Sequence, residues 1–129
     1  MNDAKKPEVG TIAWTDLTVE NAKEVSDFYN QVVGWNSTAV DMGGYSDFNM
    51  NTPVSGTCVA GVCHARGTNA DLPAQWLMYI IVEDIQTSRA RCKELGGKFL
   101  TPVKNMGGQG RYCVIQDPAG AVTALWEKT

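Results

Sequence analysis

The sequence has a single histidine, His64, among its 129 residues. Most triad arguments are thereby removed, since a Ser-His or Cys-His pair needs that one position near the nucleophile. Long apolar runs are also missing: stretches such as 59–62 and 78–82 are strand-sized, against the about 20 residues that a membrane-crossing helix needs. No membrane partner is expected. The start carries two lysines with no apolar segment behind them, so no secretory leader is expected and the chain is placed in the cytoplasm. Basic residues number 11 against 14 acidic ones, for a net charge of -3. No Lys/Arg cluster follows a phosphate backbone, which argues against a nucleic-acid partner. The four cysteines, Cys58, Cys63, Cys92 and Cys113, are scattered through a chain able to build its own core. They are expected to be reduced packing thiols.

What is present is written twice. Val19-Glu20-Asn21 is repeated by Val82-Glu83-Asp84 at an offset of 63 residues, and Gly34, Thr38 and Val40 fall on Gly97, Thr101 and Val103 at the same offset. Beyond a one-residue insertion, Met42-Gly43-Gly44 matches Met106-Gly107-Gly108, and Phe48 matches Tyr112. A fixed offset of this kind decides architecture before any motif is read. Ala22, Val25, Tyr29 and Val32 form the apolar stripe of a surface helix, repeated at Ile85, Ser88, Cys92 and Leu95. Asn21 and Asp84 are N-cap residue types, Asn21 to Glu24 has the form of a capping box, and Gly34 and Gly96-Gly97 are helix stops. Strands are expected at 11–19, 35–40, 45–51 and 57–63, and again at 76–82, 98–103, 111–116 and 121–127.

The expected fold is therefore α+β: two tandem β-α-β-β-β modules, at about 8–63 and 75–128 with a junction at 64–74, inside one domain of residues 1–129. Their mixed sheets are expected to curl around a shared cleft, the usual place for a small-molecule ligand.

The first module, with Val19-Glu20-Asn21-Ala22 and then Asp27-Phe28-Tyr29-Asn30-Gln31-Val32-Val33-Gly34-Trp35, resembles the vicinal oxygen chelate superfamily of glyoxalase I, bleomycin-resistance proteins and extradiol dioxygenases. So does the closing stretch 116–127, Gln116-Asp117-Pro118-Ala119-Gly120 through Trp126-Glu127. The resemblance implies a homodimer and, in metal-using members, ligands near the start of the first strand and on the last strand of each module. Those positions fall on Trp14, Leu77, Ala60 and Ala124. None of these side chains can hold a divalent cation, so no metal and no other cofactor is expected.

If strand residues alternate, Trp14, Asp16 and Thr18 share one face and Leu77, Tyr79 and Ile81 the matching face of the repeat. Trp14 and Tyr79 are placed to stack on a flat ligand. Asp16, a carboxylate beside a tryptophan, is the candidate general base, with Tyr79 as a second candidate for acid-base work. Ala60, Ala124, Phe48 and Tyr112 complete the expected ligand-binding set, and Arg111 is a candidate counter-ion for an anionic ligand. Trp35, Trp76 and Trp126 read as core or interface aromatics, and the Met106 to Gly110 stretch as a turn. His64 reads as a solvated junction residue, too far along one extended strand from Cys58 to share a metal ion with it. Two functions are expected: metal-free binding of a small flat molecule, or an enzyme of lyase or oxidoreductase type using Asp16 and Tyr79 or a non-standard metal site.

Overall fold

The computed structural model describes residues 7–129; the lysines read above for a leader lie outside them. The fold is α+β, with two α-helices and nine strands among the described residues. None of the described helices is long and apolar enough to cross a membrane. The chain divides into two compact units, Trp14–Trp76 and a second made of Leu77–Thr129 with the segment up to Ala13.

The Trp14–Trp76 unit holds strand β1 (Ile12–Val19) from Trp14 onward, helix α1 (Ala22–Val33), and strands β2 (Asn36–Asp41), β3 (Ser46–Asn51) and β4 (Cys58–His64). Its strands lie in the order β2-β3-β4-β1, antiparallel except for the parallel β4–β1 pair. Helix α1 buries Ala22 and Ser26 against the sheet, over a core of Phe48, Met50, Ala60 and Val62 edged by Val25, Tyr29 and Trp35. Tyr29, Trp35 and Trp76 pack ring to ring at 5.2 to 6.0 Å, and the Trp76 indole N–H donates to the Tyr29 hydroxyl at 3.1 Å. Gly34 ends the helix in the left-handed region at φ 92°, its N–H returning to the Asn30 carbonyl, a geometry that a Cβ disfavours. The expected capping box does not form. Asn21 makes no side-chain cap bond, and its amide instead donates to the Glu24 carboxylate at 3.1 Å.

The second unit holds β5 (Trp76–Ile81, from Leu77), α2 (Ile85–Glu94), β6 (Lys98–Phe99), β7 (Lys104–Asn105), β8 (Gly110–Gln116) and β9 (Val122–Lys128). The order is β5-β9-β8-β6 with β7 also on β8, and β5–β9 is again the parallel pair. Asp84 caps α2 by accepting from the N–H groups of Gln86 and Thr87 at 3.0 and 3.2 Å. Ile85, Cys113 and Leu125 form the core under the helix. The strand expected over 98–103 shrinks to two residues. Buried Thr101 interrupts it, its hydroxyl accepting from the Val114 N–H at 2.9 Å and so substituting for a ladder bond. Met106 to Gly110 forms a single tight turn, as expected, with a 3₁₀ segment at Gly107–Gln109.

The register of the repeat differs from the expected one at two places. Asp16 stands opposite Gly61 and Tyr79 opposite Ala124, so the offset at the closing strands is 63 and the partner of Ala124 is Gly61, not Ala60. Phe48 stands opposite Val62 as Cys113 stands opposite Leu125, so Phe48 corresponds to Cys113, not Tyr112. Side chains alternate along a strand, so a one-residue difference turns each to the other face. Phe48 and Ala60 both point into the core beneath α1. A register shift between Met50 and Asn51 helps restore the offset by β4, a bulge of the kind that leaves one residue unpaired.

Candidate functional site

In the Trp14–Trp76 unit, the sheet face turned away from α1 carries Trp14 and Asp16, the indole N–H of Trp14 donating to Asp16 Oδ2 at 3.3 Å. Directly across, Gly61 has no side chain. A Cβ there would lie 3.2 Å from the Asp16 Cβ and 3.3 Å from the Trp14 ring, so the glycine is what lets the indole lie over β4. The row runs on through Asn49 to Thr38, giving a line of carboxylate, amide and hydroxyl beside one half-buried aromatic ring. Such a face can stack a flat molecule and hydrogen-bond its polar edge.

Cys63 shares this face. Burial pushes its thiol well above the usual cysteine range, and the Asp16 and Asp47 carboxylates and a hydrogen bond to Asp47 push it further. It stays a thiol rather than a nucleophilic thiolate. Asp47 also accepts from the His64 backbone N–H at 2.8 Å and lies 3.3 Å from His64 Nδ1. His64 is thus the last residue of β4, its side chain 24% exposed, and not the solvated junction residue expected. The sequence carried a sign of this pair in an acid and an imidazole at the facing ends of two neighbouring strands, but only the β3–β4 register brings them together.

In the second unit, Tyr79, Tyr112 and Trp126 gather on the face turned away from α2, with ring centroids 5.7 Å apart for Tyr79–Tyr112 and 6.4 Å for Tyr79–Trp126. The Lys104 and Lys128 ammonium groups lie over Tyr112 and Trp126. Leu77 and Ala124 are buried there, at 1% and 0% exposure. Arg111 is not available as a counter-ion: it is bonded at 2.7 to 2.8 Å to Glu127, which also accepts from the Ile85 N–H at the start of α2.

The ligand positions implied by the resemblance are thus Trp14, Gly61, Leu77 and Ala124, with no side-chain atom among them able to coordinate a cation. No group of three or more His, Cys, Asp or Glu side chains among the described residues is arranged to hold an ion. These residues do not fit a metal of the superfamily's usual kind.

A family profile described as the Glyoxalase/Bleomycin resistance protein/Dioxygenase superfamily matches residues 11–125. The chain belongs to that superfamily. This glyoxalase-superfamily chain is 31% identical, over 92% of its length, to the anthracycline biosynthesis protein DnrV of Streptomyces peucetius, covering 47% of that protein. It is 30% identical to a provisionally named glyoxylase, CFP32, of Mycobacterium tuberculosis, covering 92% of this chain and 46% of that one. The chain therefore spans about half the length of the curated relatives it matches. Solved structures with the same fold include a Streptomyces coelicolor methylmalonyl-CoA epimerase variant, with TM-score 0.56 and 14% identity over 95% of this chain and 96% of that one. Another is homoprotocatechuate 2,3-dioxygenase from B. fuscum, with TM-score 0.59 and 17% identity over 99% of this chain and 35% of that one. Both share the vicinal oxygen chelate architecture.

Proposed function

We propose that this protein binds a small, flat organic molecule without a metal ion, holding it against the face of the Trp14–Trp76 unit that carries Trp14 and Asp16. The observation that carries this reading is the Trp14–Asp16–Gly61 arrangement: where coordinating side chains are usual in the superfamily, an aromatic ring and an open glycine stand instead. Trp14 supplies a stacking surface, Asp16 a hydrogen-bond acceptor or a partner for a ligand cation, and Asn49 a neutral amide. The name of the DnrV relative supplies a ligand class to try first, a fused aromatic of the anthracycline type. Two copies of the chain acting as a homodimer belong to the same reading, supported by relatives about twice as long in a single polypeptide.

Titration with an anthracycline, followed by tryptophan fluorescence, tests this. Saturable quenching is expected, weakened about tenfold or more in Trp14→Ala, as for loss of a stacked anchor. Quenching unchanged in that variant overturns the placement. Elemental analysis finding stoichiometric zinc, iron, nickel or manganese overturns the metal-free reading. Turnover of the bound molecule that is lost in Asp16→Asn replaces binding with the second reading, acid-base catalysis by Asp16, which its position beside a half-buried indole favours.

A further inference from the structure

His64 ends β4, and Arg66 two residues later has extended backbone at φ -140° and ψ 157°. In an extended chain, residues two apart project to the same side. Both side chains meet Tyr45: the Arg66 guanidinium lies 3.8 Å above its ring, and the His64 ring meets it edge-on at 5.5 Å and 86°. One aromatic ring therefore seats a cation and an imidazole together. Asp47, from β3, braces the imidazole from behind through the backbone N–H and Nδ1 of His64. A carboxylate at Nδ1 favours the tautomer with its proton there and leaves Nε2 to exchange protons with a ligand. Arg66 is exposed and makes no ion pair among the described residues, and a guanidinium carbon held over an aromatic ring does not use up the N–H groups that bind an oxyanion.

We propose that Arg66, His64 and Tyr45 form a binding site for a small oxyanion, a carboxylate or a phosphate, which Arg66 grips through two N–H groups while His64 donates from Nε2. The site does not rest on the Trp14 face and stands or falls independently of it. An imidazole donates from both nitrogens only when protonated, so binding takes up a proton and tightens as the pH falls. The charged and titratable groups around the imidazole are Asp47 on β3, Tyr45 before it, Arg66 after β4 and the Cys63 thiol bonded to Asp47.

Because His64 is the only histidine, its imidazole C–H signals in a proton–carbon NMR spectrum need no assignment by mutation. Titration with inorganic phosphate and, separately, with benzoate, at matched ionic strength in sodium chloride, is expected to move these signals saturably. With benzoate, which keeps its charge across this range, affinity is expected to be several-fold tighter at about pH 5.5 than at about pH 8, because only a doubly protonated ring donates from Nε2 while Nδ1–H is held by Asp47. Arg66→Gln is expected to weaken binding about tenfold or more, as for loss of a bidentate charged contact, with the backbone spectrum unchanged. Response to benzoate alone assigns a carboxylate ligand, response to phosphate alone a phosphate, and response to both an unselective oxyanion site. Shifts reproduced by chloride, or retained in full by Arg66→Gln, overturn the proposal. His64→Gln, followed through backbone amide shifts, should weaken anion binding and flatten its pH dependence; an unaltered dependence removes His64 from the site.

Discussion

Asp16 stands opposite Gly61 across the parallel pair β1–β4, and Tyr79 stands opposite Ala124 across β5–β9 in the same relation. In both units a residue with a polar side chain therefore faces one with little or none. In the Trp14–Trp76 unit the space is taken by the Trp14 indole, 3.3 Å from where a Cβ on Gly61 would be.

Gly61→Ala is expected to force Trp14 and Asp16 apart by a few tenths of an ångström and cost about 1 kcal/mol. Gly61→Val, which adds branches to the same contact, should cost about 2 kcal/mol or more and displace the indole. Urea midpoints measure the first effect and Trp14 fluorescence the second. A neutral Gly61→Val would show that the face is looser than its contacts imply.

The two helix starts make a paired prediction. Asp84→Ala removes two cap hydrogen bonds and should destabilise by about 1 kcal/mol. Asn21→Ala removes only an exposed side-chain contact to Glu24 and should cost under about 0.5 kcal/mol. Equal losses in denaturant unfolding would contradict the asymmetry.

Cys63 sets a pH prediction. Its thiol is raised above the usual 9.0, first by burial and then by Asp16 and Asp47. The unfolded chain therefore releases this proton at lower pH than the folded one. The contribution to stability is intact below pH 9.0 and is lost as pH rises beyond it, by at most about 1.4 kcal/mol per pH unit. Cys63→Ala should lose less stability between about pH 8 and 10 than the parent chain. Cys58, which is exposed, should react first with a thiol reagent at neutral pH.

The homodimer is open to a direct measurement. Light scattering on the eluting protein should give twice the mass of the 129-residue chain; a single-chain mass at high protein concentration would remove this part of the proposal.

Both helices were legible because Ala22, Val25 and Tyr29, and in the repeat Ile85, follow helical spacing onto the packed face, although Val32 and Leu95, counted in the same stripes, are exposed at 63% and 69%. The first strand read equally well, since Trp14, Asp16 and Thr18 alternate with Leu17 and Val19. Phe48 and Ala60 were misplaced because a single offset was carried through both strands, whereas Phe48 pairs as Cys113 does and Gly61 as Ala124 does; the β3–β4 connection is longer than its repeat, and a difference in connection length has no compositional mark. The strand expected over 98–103 failed because Thr101 bonds Val114 through its side chain, a contact 13 residues away that propensity does not carry.

By itself the sequence determined that the chain is a doubled β-α-β-β-β protein; that Trp14, Leu77 and Ala124 fall where coordinating residues are usual in the superfamily is what the resemblance implies. The doubling is a property of spacing and residue type, which can be read along the chain. Only the tertiary structure decided that Gly61 opens the face beside Trp14, that Phe48 and Ala60 belong to the core, and that His64 joins Asp47, Tyr45 and Arg66. Each of these depends on which residues stand opposite one another or pack together in the folded unit, and that is settled by pairing between segments rather than within them.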